Sequence, residues 1–357
     1  MKKLFSLFLL ALVVSLFSCE PPVAPPDGEE GGTDTEQPVT PEEPANPETP
    51  SDPETPEQPQ RQYADEYVVC NYNIRYYNGS SDGSNTGAKA WPNRKAKVYE
   101  MIARYGMDVC GLEEVTSTMA KDIIADLADY EYIGYGRDNG KRQGEGASGE
   151  QTGLIFKKAR FEALESGRFF LSNTPNNVSK LPNSNFNRMV AWVKLKDKEF
   201  GGEFYFFATH FDNDYDAKHV TVRSQQADVA IAKVPEIAGE LPFFFVGDFN
   251  CETSETAYEK LSAAFDDAFI KMGLDAMGGY VCNESQLKTY PEDCACAGNT
   301  YTGLYSSSDK WPKRIDLVLF DDAKATVSYY NADNDNMGLS MYPSDHLPVI
   351  TKMSIIE

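Results

Sequence analysis

From Tyr63 onward, short apolar runs end in polar tips, and stretches with apolar residues three or four apart alternate with them. The first kind predicts strands and the second helices. "EYVVCNYNIRY" predicts a strand ending near Asn73, and "WPNRKAKVYEMIARYG" a helix. Pro92 suits its first turn, Val98, Ile102 and Tyr105 share helical spacing, and Gly106 suits its end. "MDVCGLEEV" predicts a strand with Glu113 and Glu114 at its tip, and "TSTMAKDIIADLADY" a helix with a Thr/Ser cap. "EQTGLIFKK" is a further strand. "RMVAWVKLKD" and "GEFYFFATHFD" form an antiparallel pair turning at Gly201 and Gly202. "VTVRSQQADVAIAKV" is helical, "PFFFVGDFN" a buried strand, and "ETAYEKLSAAF" helical. "KRIDLVLF" and "VITKMSI" are late strands.

Side chains on a strand alternate between two faces. His210 and Asp212 therefore share parity with Phe204 and Phe206, and Asp248 and Asn250 with Phe244 and Val246. If the strands continue to their tips, polar groups converge at the end of an apolar sheet. The same placement recurs at Asn73, Glu114, Asp316 and the pair Asp345-His346. Asp and Asn are ordinary turn formers, but chance punctuation would have to repeat at each tip. Of the three histidines, His210 and His346 stand at strand ends beside an acid. His219 lies in a polar stretch entering a helix and is expected to be a bystander.

The first 62 residues are different. Lys2 and Lys3 precede an apolar run from Leu4 to Phe17, followed by Ser18 and Cys19. That is the pattern of an export signal, too short for a spanning helix. "LFSC" resembles the lipobox of bacterial lipoproteins, which implies lipidation of Cys19. Acyl chains hold a membrane by about 0.8 kcal/mol per buried methylene. Residues 20–62 are rich in Pro, Glu, Thr and Gly and nearly free of large apolar residues. They predict a disordered tether reaching at most about 130 Å, at about 3.1 Å per residue. Residues 63–357 suit one large domain. The chain is thus divided 1–19, 20–62 and 63–357. An exported protein anchored through lipid, at the outer membrane or cell surface, is expected.

Charge narrows the partners. The chain carries −22, and residues 1–62 hold 12 acids and 3 bases. The domain keeps 43 acids against 30 bases, or −13. That excludes the basic footprint of tight duplex binding, so no stable nucleic-acid complex is expected, and the protein is read as a monomer. A phosphate substrate bridged by a cation remains compatible. Six cysteines follow Cys19. Cys70 and Cys110, in strand-like runs, are expected as buried thiols. One disulfide is expected among Cys282, Cys294 and Cys296.

Taken in order, "NYNIR", "GLEEV", "GEQTGLIF", "ATHFD", "VGDFN", "RIDLVLF" and "SDHLPV" resemble the endonuclease/exonuclease/phosphatase superfamily over about residues 65–357. "WPNRK", "GRDNG" and "RFFLSNTP" resemble a bacterial, often secreted subgroup. The resemblance implies a four-layer α/β sandwich, two packed mixed sheets between helices. It implies metal-dependent phosphate-ester hydrolysis. Glu114 would be the metal ligand, with Asn73 and Asp345 close by, and Glu113 stands where the family has Gln. Hard oxygen donors suit Mg²⁺ or Mn²⁺. Asp248 would orient or deprotonate the attacking water, and Asn250 would hold phosphate. His346 would stabilise the phosphorane or protonate the leaving group, paired with Asp316. His210 would be a second catalytic histidine, with Glu150 in the place of its acidic partner. Asp212 and Arg188 are candidate substrate contacts, although an Arg that starts a strand is usually solvated. A phosphodiesterase or nuclease is the first reading, and a phosphomonoesterase on a sugar or lipid head group the alternative. From another class, a non-catalytic surface-binding lipoprotein would not need both histidine–acid pairs.

Overall fold

The computed structural model describes residues 61–79, 86–276, 300–303, 313–333 and 342–357. The export signal, Cys19, most of the tether and the Cys282, Cys294 and Cys296 group lie outside the described residues.

Among the described residues, twelve strands and five α-helices follow in chain order: β1 (Tyr67–Asn73), α1 (Trp91–Tyr105), β2 (Val109–Val115), α2 (Ser117–Asp126), β3 (Tyr130–Gly136), β4 (Gln151–Lys157), β5 (Phe161–Phe170), β6 (Met189–Asp197), β7 (Glu203–His210), α3 (Ala217–Ala238), β8 (Phe243–Asp248), α4 (Thr256–Ala264), β9 (Asp266–Asp267), α5 (Ala268–Ala276), β10 (Asp316–Phe320), β11 (Ala325–Ala332) and β12 (Val349–Ile355). They build two six-stranded mixed sheets, ordered β11-β12-β1-β2-β4-β3 and β5-β6-β7-β8-β10-β9.

Strand alternation explains the layers. Val69, Val109 and Leu154 of one sheet pack against Ala191, Phe206, Phe244 and Val318 of the other. The intervening residues face outward onto helices. Cys70, Tyr72 and Leu112 meet Val98, Ile102 and Met119 of α1 and α2. Phe207, Phe245 and Leu319 meet Ala227, Val234 and Leu261 of α3 and α4. The result is the expected four-layer α/β sandwich.

The caps follow from sequence. Gly106 ends α1 in the left-handed region at φ 53°, and the Thr116 side chain accepts from Met119 N–H at the start of α2. Cys70 and Cys110 are buried free thiols, as is Cys251.

Candidate functional site

Register brings the first group together. β7 and β8 run parallel with His210 beside Asp248, and β8 and β10 run antiparallel with Asp248 beside Asp316. Three polar residues therefore stand in a row at one end of one sheet. His210 Nε2 is 3.4 Å from Asp248 Oδ2. His346, in the loop before β12, joins from the other sheet. Its Nδ1 is 2.8 Å from Asp316 Oδ2 and its Nε2 3.6 Å from Asp248 Oδ2. Asn71 Nδ2 donates to Asp316 Oδ1 at 3.2 Å, fixing that carboxylate from below.

The opposing sheet supplies the second group. Asn73, at the end of β1, donates through Nδ2 to Glu114 Oε1 at 3.1 Å and to Asp248 Oδ2 at 3.0 Å. Glu114 lies where the β2–β4 register shifts, between Leu112 and Val115. Its φ is 63°, a conformation that costs a non-glycine residue roughly 1–3 kcal/mol. The bulge separates two neighbouring acids. Glu114 reaches the site, whereas Glu113 is fully buried with neither carboxyl oxygen hydrogen-bonded. Burial, reinforced by Asp316 and Asp248, pushes the Glu113 carboxyl well up. Protonated, it has the shape and charge of the glutamine the family carries there.

The two site histidines are driven apart. Burial, then Arg188 and Arg137, holds His210 well below its ordinary range, so it is neutral. Burial also opposes charge on His346, but Asp316 and Asp248 outweigh it and hold the imidazole well above its ordinary range. Asp248 is pushed up to about 7 by burial, with Asp316 and Glu114 adding to the rise.

Around these groups the other expected residues find their own partners. β7 ends at His210, and Asp212 beyond it turns away. Its Oδ2 accepts from Ser184 Oγ at 2.7 Å and from Asn185 N–H at 3.2 Å, making it a buried loop anchor. Asn250 also lies past its strand, at φ 50°. Its N–H donates to Asp248 Oδ1 at 2.9 Å and its side chain to the Phe211 carbonyl at 3.2 Å. Glu150 pairs with Arg137 at 2.9 Å, and the acid against His210 is Asp248. Asp345 pairs with Arg75 at 2.5 Å. Asn73 presents its amide nitrogen, not its oxygen, to the carboxylates. Arg188 is buried, not solvated. His219, expected to be a bystander, is buried, with Nδ1 2.7 Å from Asp216 Oδ1.

Sequence reasoning missed Arg137 as part of the site. With Glu150, Asn187, Arg188 and His210 it lines one cavity. The available signal was position: the turn "GRDNG" follows β3, and "GEQTG" opens its partner β4.

Glu114, His210 and Asp248 each offer a ligand atom within 4.8 Å of the others, as do Asp248, Asp316 and His346. The residues fit a divalent cation, because the buried carboxylates crowd one another and offer hard oxygen donors. Two packed sheets thus carry acids and histidines at one set of strand ends. A profile described as the Endonuclease/Exonuclease/phosphatase family matches residues 70–346, and the chain belongs to that family. Among solved structures, a mannosyl-6-phosphatase from Bacteroides thetaiotaomicron is 26% identical with a TM-score of 0.65, over 82% of this chain and 100% of that one. An endonuclease/exonuclease/phosphatase family protein from the same organism is 25% identical with a TM-score of 0.66, over 82% and 98%. The human nocturnin catalytic domain, with bound sulfate, shares the fold at 20% identity and a TM-score of 0.57, over 83% and 98%. No curated protein sequence matches the chain significantly.

Proposed function

We propose that this protein is a divalent-metal-dependent hydrolase of small phosphate esters. The carrying observation is the placement of Asp248 between two histidines, 3.4 Å from His210 and 3.6 Å from His346. Asp248 takes a proton from the attacking water. His346, held by Asp316, gives its proton to the departing ester oxygen. The proton on Asp248 then faces His346 Nε2, which resets the pair. Neutral His210 donates to a phosphoryl oxygen while Asn250 holds the Asp248 carboxylate in place. Glu114, beside Asp248, would hold Mg²⁺ or Mn²⁺; a bound cation would neutralise phosphoryl charge as it develops.

Substrate size follows from charge. Arg75, Arg94 and Arg137, the candidates for a duplex-binding groove, are all engaged, Arg137 with Glu150. Arg75 pairs with Asp345. Arg94 is buried and donates to the carbonyls of Ile74, Arg75, Lys89 and Pro343. This disfavours the nuclease reading and favours a small ester, in keeping with the sugar phosphatase among the similar structures. We also propose that lipidated Cys19 holds the enzyme on a membrane.

The test is hydrolysis of a phosphoester panel by the purified chain, with Mg²⁺, with Mn²⁺ and with chelator. Activity should need the cation, and Glu114→Ala should lower the rate at least about 100-fold while raising the metal concentration for half-activity. Full activity in chelator would refute the proposal.

A further inference from the structure

The cavity beside His210 is lined by two arginines and one acid, Arg137, Arg188 and Glu150. Arg188 is 4% exposed, and its Nη2 donates to Asn213 Oδ1 at 3.2 Å. Arg137 Nη1 pairs with Glu150 at 2.9 Å. The Nε of each arginine is buried without a hydrogen-bond partner. Both guanidinium groups stand over Phe186, Arg137 at 4.0 Å and Arg188 at 5.5 Å from the ring centroid. Phe186 thus braces two like charges that would otherwise separate.

Burying a second arginine against a single carboxylate is costly unless an anion completes the set. Two guanidinium groups and one carboxylate line the cavity. His210 lines it too and lies 3.4 Å from Asp248, so the arginine pair adjoins the reacting centre. Resting on the phosphoester reading above, we infer that Arg137 and Arg188 form a subsite for the free oxygens of a terminal phosphate, which makes the enzyme a phosphomonoesterase. A monoester dianion has three non-bridging oxygens and two charges; a diester has two such oxygens and one charge. A guanidinium pair against the phosphate discriminates through the third oxygen and the second charge. A diester would place its second alkoxy group against Arg188.

The reaction balances within the residues described. The water oxygen bonds to phosphorus as the phosphorus–ester oxygen bond breaks. One water proton goes to Asp248, the other stays on the phosphate, and His346 protonates the leaving alkoxide. One dianionic monoester and one water give one alcohol and one hydrogen phosphate.

The test compares p-nitrophenyl phosphate with bis-p-nitrophenyl phosphate, which share a leaving group, in saturating Mn²⁺. Wild type should have the higher kcat/KM on the monoester. Arg188→Met and, separately, Arg137→Met should lower the monoester-to-diester ratio of kcat/KM at least tenfold and weaken competitive inhibition by inorganic phosphate. Arg188→Lys should restore part of the ratio. Arg137 is the more exposed of the two, so its variant covers the case in which Arg188→Met does not fold. A ratio unmoved by Arg137→Met, or a wild type that prefers the diester, overturns the subsite and leaves phosphoester hydrolysis standing. A wild type inert to both esters with the cation present overturns both.

Discussion

Backbone strain marks the residues that meet at the site. Among the described residues, four non-glycine residues have positive φ, and Arg75, Glu114 and Asn250 are three of them. Each spends stability to aim a group: Arg75 at Asp345, Glu114 at the proposed cation site, Asn250 N–H at Asp248. The histidines separate catalysis from stability. His346→Ala and Asp248→Asn should each lower kcat about 100-fold or more, the scale of a lost general acid or base. His219→Ala should leave kcat little changed and act on stability instead. Its imidazole is buried, with Nε2 3.8 Å from Asp212 Oδ1 and 3.6 Å from Asp214 Oδ2. Removing it leaves a cavity and a buried acid, costing about 2–4 kcal/mol of stability. Kinetics beside denaturant melts decide this. Comparable kcat losses at His219 and His346 would show that the active centre is misplaced.

At the scale of elements, the active centre depends on how closely the sheets approach. Gly111 of β2 pairs with Asn71 of β1 and faces β7 and β8. A Cβ there would lie 2.6 Å from Val246 Cγ2, 2.8 Å from Asn71 Oδ1 and 3.2 Å from Ala208 Cβ. Asn71 is the residue that fixes Asp316, so crowding at Gly111 reaches the His346 pair directly. Gly111→Val should destabilise the fold by about 1–3 kcal/mol through overpacking and also lower kcat. Normal activity with an unshifted denaturation curve would mean that the sheets have slack at this point.

The whole molecule sets partners and place. With a domain near −13, few phosphates beyond the reacting one can be neutralised. Binding to duplex DNA weakens with log salt by a slope of about 0.9 per neutralised phosphate. On a short ester, kcat/KM should therefore fall only weakly with monovalent salt at saturating Mg²⁺. A steep slope together with strong preference for long duplex DNA would refute the small-substrate reading. Cys19→Ala should release the protein from the membrane fraction of cells, since it removes the only lipidation site that "LFSC" offers. A variant that still fractionates with membranes would sink the anchor proposal.

What the sequence determined and what only tertiary structure decided divide along physical lines. Eight strands were legible as apolar runs: β1, β2, β4, β6, β7, β8, β10 and β12. The four that were not, β3, β5, β9 and β11, are the four sheet edges. An edge strand has one partner and shares its surface with solvent, so its sequence need not be continuously apolar. β5 shows this, with Glu162 and Glu165 exposed along its length. Period-two alternation correctly turned His210 and Asp248 toward the gap between the sheets, because both are the last residues of their ladders. It failed at Asp212, past the last hydrogen-bonded pair, where local loop contacts set the direction. The Asp316–His346 pair was legible from family motifs. Arg188 reads as a solvated strand start, and Arg137 sits in a polar turn, 51 positions earlier in the chain. Only packing one strand end against another sets both over Phe186 beside His210. Charges separated along the chain carry no local sign of meeting; the fold decides which of them share a cavity.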